Sequence, residues 1–236
     1  MKKRMMTASL LLLCAFAQAA AQSPNVTPPP IHPPLTPRTP PPKPLPSEPT
    51  PASLEAKKKY EAMLEKAKKG EGEVDYRALR FTFFETPEFN PLSGMLVYRP
   101  LWGALAQSNW PEAVKQAEAV LSKTYVDVNA HMVAYVAHRQ QGDEEKAKYH
   151  HRWAEGLLAS IKAGGDGKTT GTAWHVISTS EEYALFRSMN LNPVGQALKH
   201  ENGHSYDEIT VVDPRTREQT RYYFNIDKPF SAYARK

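Results

Sequence analysis

The sequence predicts a mostly α-helical α+β fold, in which antiparallel helix pairs precede a small antiparallel β-sheet or hairpin. Between Tyr60 and Ile161, apolar residues recur every three or four positions, as on the buried face of a helix. After Gly165, β-branched and aromatic residues become frequent, which favours strands. Of the 21 prolines, 14 lie between Pro24 and Pro51, so the remainder of the chain has the proline content of an ordinary globular domain.

Capping residues mark the predicted helix boundaries. Three residues that favour the position before a helix precede apolar-periodic segments: Asp75, Asn109 and Asp143. Gly70 and Gly142 predict helix ends, because glycine adopts the left-handed conformation that closes a helix. Pro100 predicts the start of a further helix that contains Leu101 and Ala104.

Two of the predicted helix starts can be superimposed on each other. The segments 109–113 and 143–147 are 34 residues apart, and the alignment matches Ala113 with Ala147. Thirty-four residues is about the period of tetratricopeptide repeats. The helical region 52–164 is therefore predicted to be a tetratricopeptide-like stack, an architecture that usually binds peptides or scaffolds other proteins.

The region 165–236 is predicted to complete the same domain as a C-terminal α+β part. The runs 206–212 and 221–226 flank the turn-forming segment 213–216, a pattern that predicts a β-hairpin. For 181–189, the periodicity fits either a helix or a strand, and both remain open at this point.

The first 21 residues have the three parts of a secretory signal peptide. A basic start at 2–4 is followed by an apolar run and then by small residues at 17–21. The run is shorter than the roughly 20 residues that span a bilayer, so we expect cleavage after Ala19 or Ala21, with no membrane anchor in the mature chain. Cys14, the only cysteine, lies within this run, and the mature protein therefore lacks thiol chemistry.

The segment 22–51 is predicted to be a disordered, proline-rich linker. It contains too few apolar residues to form a core, and its prolines favour an extended polyproline II backbone. Binding of this segment to a partner is a weaker alternative. The basic residues near the N-terminus also account for most of the net charge of +5, leaving about +1 for the domain, so a general nucleic-acid binder is disfavoured.

Several short motifs resemble, in order, the bacterial domain of unknown function family 4919. The resemblance extends from about Tyr60 to Asp227, and this family is typically exported. Because the activity of the family is not established, the resemblance implies an architecture but no catalytic residue. The motifs are Asp75–Tyr76, 86–91, Ala130–His131, 165–169, 181–183, Tyr206–Asp207 and 223–226.

Charged and small residues near the predicted boundary between the helical region and the sheet form a candidate ligand or partner site. Glycines there would let backbone amides approach a ligand, a lysine could neutralise an anion, and acidic residues could receive a cation. The alternative is an ordinary solvated loop followed by a helix start. The candidate residues are Gly165, Asp166, Gly167, Lys168, Glu181, Glu182, Tyr183, Asp207 and Asn225.

Two short motifs resemble known functional sites but lack a required feature. His200, Glu201 and His204 have the spacing of a zinc peptidase motif, but Asn202 and Gly203 between them favour a turn over the helix that such a site needs. The segment 165–169 ends like a phosphate-binding loop but lacks its first glycine.

A group of histidines on the last two helices of the stack could hold a metal. Packing and hydrogen bonding within the stack explain such histidines more simply. The group comprises His131, His138, His150 and His151, the last of which has Glu155 at helical spacing.

The sequence favours a periplasmic or secreted module that binds or scaffolds a protein or peptide partner in the cell envelope. It contains no recognisable nucleophile, so no catalytic residue is assigned, and neither a metal nor another cofactor is expected. The alternative is a periplasmic hydrolase, with or without a metal.

Overall fold

The computed structural model describes residues 48–90 and 93–234, with side chains described for 48–90 and 98–232. The predicted signal peptide and residues 22–47 of the predicted linker lie outside these ranges. The helices are α1 (Pro51–Lys69), α2 (Tyr76–Phe84), α3 (Ser93–Ala106), α4 (Trp110–Leu121), α5 (Val128–Gln140), α6 (Glu144–Lys162), α7 (Thr179–Ser188) and α8 (Asp227–Ala234). The strands are β1 (Trp174–His175), β2 (Asn192–Glu201), β3 (His204–Val212) and β4 (Gln219–Asn225). The α+β class is thereby confirmed.

The predicted helix caps are confirmed at atomic detail. The side chains of Asp75, Asn109 and Asp143 each accept a hydrogen bond from the backbone N–H three residues later. Gly70 ends α1 with a φ of 72°, in the left-handed region that favours glycine.

The structure corrects one predicted helix start and decides the one segment that the sequence left ambiguous. Pro100 lies inside α3, which already begins at Ser93, so the prediction of a helix start at Pro100 is wrong. Proline removes only one backbone hydrogen bond there, and burial of Leu101 and Ala104 helps to offset that loss. The ambiguous segment 181–189 is helical as far as Ser188, where α7 ends.

The helices pack mainly against their neighbours in sequence. α4 contacts α5, and α5 contacts α6, while α2 also packs on α6. Trp153 of α6 lies in a core with α1 and α2. Ala113 and Ala147, which the 34-residue alignment matches, are both almost completely buried. The wider tetratricopeptide-like arrangement stays a prediction.

The four strands form one sheet in the order β1-β4-β3-β2. The predicted hairpin is confirmed as the antiparallel pair β3 and β4. The expectation of a purely antiparallel sheet is wrong, since β1 pairs in parallel with β4. The physical reason is the connection: α7 and two strands separate β1 from β4, so the chain can return in the same direction.

One face of the sheet forms a core with α7. Leu185 and Phe186 of α7 pack in the same cluster as Ile209 of β3 and Phe224 of β4. Strand β2 lies at the edge of the sheet, and its apolar residues Val194 and Leu198 are about half exposed. In the described part of the chain, every helix is too short or too polar to cross a bilayer.

Candidate functional site

The glycine-rich part of the predicted site forms a loop held together by its own hydrogen bonds. Asp166 Oδ1 accepts from the backbone N–H of Lys168 at 2.9 Å and from the Thr172 hydroxyl at 2.7 Å. The ammonium of Lys168 lies 3.9 Å from the ring centroid of Tyr222. Gly167, with a φ of 70°, packs so closely against Trp174 that a Cβ would lie 2.8 Å from the indole. These contacts explain the conformation of the loop and the positions of its side chains without a bound ligand.

Glu181 belongs to a buried ion pair that joins α7 to α2. Its carboxylate accepts from Arg80 Nε at 2.7 Å and from Arg80 Nη2 at 2.6 Å, and both side chains are shielded from solvent. Arg80 also donates to the Ser160 hydroxyl and to the carbonyl of His175. Both carboxylate oxygens of Glu181 therefore have a structural role in joining α7 to α2.

Glu182, Tyr183 and Asp207 do come together, with Gln196 of β2 as an additional member. The Tyr183 hydroxyl donates to Gln196 Oε1 at 3.2 Å, and Gln196 Nε2 donates to Asp207 Oδ2 at 2.9 Å. Glu182 is completely buried, and its carboxyl group interacts with that of Asp207. Burial, together with the carboxylate of Asp207, raises the pKa of Glu182 well above its ordinary value.

Asn225 belongs to a different group. It is the last residue of β4 and pairs with Tyr206 near the start of β3. Its side-chain amide donates to Asp227 Oδ2 at 3.1 Å, and its Oδ1 accepts from the backbone N–H of Asp227. Asp227 also accepts from the backbone N–H of Ser205. The nine predicted residues thus fall into four groups: the glycine-rich loop, Glu181 alone, the set of Glu182, Tyr183 and Asp207, and Asn225. Within the described part of the chain, no hydrogen bond or ring contact joins the glycine-rich loop to residues 181–183.

The sequence did not identify a second buried polar group beside α7. The Tyr98 hydroxyl donates to Asp127, which also caps α5. Burial raises the pKa of Asp127 to about 6. Arg187 of α7 donates to Asn129 Oδ1 at 2.5 Å and lies over the ring of Trp102. No local motif contains these residues, so only the fold brings them together.

The zinc-peptidase spacing at 200–204 falls on a β-hairpin. Asn202 and Gly203 form its turn with φ of 52° and 78°, and Glu201 pairs with His204 across the strands. His200 pairs with Ser205, so the two histidines point to opposite faces of the hairpin. Across residues 48–90 and 93–234, no group of three or more His, Cys, Asp or Glu side chains could hold a metal ion.

Two members of the histidine group, His131 and His150, are hydrogen-bonded to each other. His131 Nε2 lies 2.8 Å from the carbonyl oxygen of Tyr125, and His131 Nδ1 lies 2.9 Å from His150 Nδ1. The ring of His138 stacks on His150, with 5.6 Å between centroids. His151 instead pairs with Glu155 at 3.3 Å, as its spacing predicts.

These hydrogen bonds fix the tautomers of His131 and His150. A carbonyl oxygen can only accept, so His131 donates from Nε2, and its Nδ1 must then accept from His150 Nδ1–H. Burial lowers the pKa of His131 to about 3 and that of His150 to about 4, so both rings are neutral near pH 7. His150 Nε2 therefore carries a lone pair.

His150 lines an open groove of about 410 Å³, which we call the α1–α6 groove. Helix α1 contributes one side, α6 another, and the end of α4 with the segment after it a third. The lining side chains are Tyr60, Leu64 and Lys68; Tyr149 and His150; and Glu118, Leu121, Ser122, Lys123 and Tyr125. The groove combines apolar, basic and hydrogen-bonding groups on a solvent-accessible surface, which suits a polar ligand with an apolar part.

Comparison with known proteins identifies the family. No curated protein and no solved structure matches the chain. The family model described as "Domain of unknown function (DUF4919)" matches residues 58–235, about three quarters of the chain. This match confirms the resemblance that the motifs indicate. The chain therefore belongs to the DUF4919 family.

Proposed function

We propose that this protein is an exported protein-binding or scaffolding module of the bacterial cell envelope, and that its partner occupies the α1–α6 groove. The groove carries the proposal, because it is open, has a volume of about 410 Å³ and exposes Lys68 and Lys123 beside the partly exposed, apolar Leu64. A helical stack with such a groove is a common arrangement for binding a peptide segment.

Capture from envelope extract with a blocked groove tests this function. Ser122→Trp places an indole in the groove from an exposed position, and Ala159→Trp, on the exposed surface of α6 outside the groove, is the matched control. We expect wild-type protein and Ala159→Trp to retain the same partner in quantitative mass spectrometry, and Ser122→Trp to lose it. Equal retention by all three proteins would refute the groove as the binding site.

The alternative function, a periplasmic hydrolase, rests on a separate observation. Glu182 and Asp207 form a buried carboxyl pair in which burial and the neighbouring carboxylate raise the pKa of Glu182 well above its ordinary value. A protonated acid beside a carboxylate is the arrangement that acid–base catalysis uses. Turnover of peptide, ester or glycoside substrates that disappears in Glu182→Gln would support the hydrolase, and turnover unaffected by this substitution would exclude this pair as its site.

A further inference from the structure

The α1–α6 groove contains a hydrogen-bond acceptor whose orientation is fixed. Because His150 Nδ1–H donates to His131, the lone pair of His150 lies on Nε2. The hydrogen bond of His150 within the described part of the chain uses Nδ1 and not Nε2, and the residue is partly exposed to solvent. The acceptor is thus available to an N–H group of a ligand in the groove.

Two cationic side chains, Lys68 and Lys123, line the same groove. Neither Lys68 nor Lys123 lies within 4.0 Å of a carboxylate in the described part of the chain, although both line the groove. The ammonium of Lys68 is held 3.7 Å from the ring centroid of Tyr125, and partial burial lowers its pKa. Among the described residues that line the groove, Glu118 is the one acidic residue against two lysines, so their net charge is positive.

We infer that the α1–α6 groove recognises an acidic peptide segment, an inference that rests on the binding function proposed above. Ligand carboxylates would pair with Lys68 and Lys123, whose ammonium groups are donors only. A backbone N–H of the peptide would donate to His150 Nε2, and an apolar side chain would contact Leu64, which is partly exposed. The ligand class is therefore a peptide in which acidic and apolar residues are adjacent.

A pair of synthetic peptides tests the charge requirement. One fluorescent 12-residue peptide alternates leucine with glutamate, and its control alternates leucine with glutamine. We expect fluorescence anisotropy to show binding of the glutamate peptide at least about tenfold tighter than binding of the glutamine peptide, since charge-assisted hydrogen bonds exceed neutral ones. Equal affinity for the two peptides, or no binding of either, would overturn the inference.

Lysine variants locate the charge recognition. Lys68→Met and Lys123→Met keep the aliphatic stem and remove the ammonium, and each should weaken the glutamate peptide by about fivefold or more. Lys162→Met is the matched control, because Lys162 is exposed at the end of α6 and does not line the groove. If neither groove variant weakens binding more than Lys162→Met does, the peptide does not bind where we place it.

The imidazole nitrogens of His150 give an independent readout by ¹⁵N NMR. We expect Nε2 to resonate in the unprotonated range at pH 7 and to move toward the hydrogen-bonded range when the glutamate peptide is added. A protonated Nε2, or a resonance that saturating peptide leaves unchanged, would overturn the role of His150.

The peptide and capture experiments separate the two proposals. If Ser122→Trp abolishes capture but the glutamate and glutamine peptides bind equally, the groove binds a partner whose chemistry is different from the one inferred. If Ser122→Trp leaves capture unchanged, the proposed function itself fails at this site.

Discussion

Breaking the buried ion pair between Arg80 and Glu181 should be among the most destabilising single changes in this protein. Glu181→Leu removes two charge-assisted hydrogen bonds of 2.6 and 2.7 Å and the acceptor for the backbone N–H of Ile177. At about 1.5–3 kcal/mol for each charged hydrogen bond, the loss is about 3–6 kcal/mol. The cost of leaving one buried ion unpaired, about 3–5 kcal/mol, leads to the same range.

Urea denaturation monitored by tryptophan fluorescence measures this loss, because Trp153 and Trp174 are buried. The double variant Arg80→Met/Glu181→Leu should recover most of the stability, since no unpaired charge remains in the core. Glu65→Gln, which breaks the exposed pair with Lys69, is the surface control and should leave the unfolding midpoint unchanged. A loss below about 1 kcal/mol for Glu181→Leu, or a double variant no more stable than the single one, would refute the reasoning.

Three further predictions concern pH, export and metal. The pKa of Glu182 in the folded protein lies above its unfolded value near 4.5. The contribution of Glu182 to the free energy of unfolding is therefore complete below pH 4.5. This contribution is lost as the pH rises toward the folded pKa, by up to about 1.4 kcal/mol per pH unit. Glu182→Gln should therefore lose less unfolding free energy than wild type between pH 5 and pH 7, and parallel urea curves would contradict this. Mass spectrometry of exported protein should give Ala20 or Gln22 as its first residue, and an intact N-terminus would disprove the signal peptide. A chelator should leave the melting temperature unchanged, whereas zinc lost on changing His200 or His204 would favour the hydrolase.

The features that the sequence predicted correctly depend on neighbouring residues. Asp75, Asn109 and Asp143 cap helices through hydrogen bonds that span three residues, and the Asn202–Gly203 turn needs only its own two backbone conformations. The segment 181–189 stayed ambiguous because a short amphipathic run fits either a helix or a strand.

The features that the sequence missed depend on distant residues or on the absence of a pattern. Strand β2 was not predicted, because almost all of its residues are exposed and no alternation of buried and exposed positions marks it. Arg80 and Glu181 are 101 residues apart, so no spacing rule could pair them. Of the residues predicted to form the site, Glu182, Tyr183 and Asp207 lie together in the structure. Glu181 instead pairs with Arg80 of α2.

The α1–α6 groove could not be predicted either, since its walls come from three separate helices between Tyr60 and His150. The histidines were recognised as a group on neighbouring helices. The direction of the hydrogen bonds between His131 and His150, which fixes the free lone pair, is set by the Tyr125 carbonyl and requires coordinates.

Photocrosslinking in the cell envelope tests the central claim, that the α1–α6 groove holds a protein partner, most directly. A photoreactive amino acid would replace Glu118, an exposed residue that lines the groove, and, as the control, Lys162 outside it. We predict a discrete crosslinked species from position 118 that is absent from position 162 and disappears when Ser122→Trp is added. No crosslink from position 118, or the same species from both positions, would contradict binding of a partner in this groove.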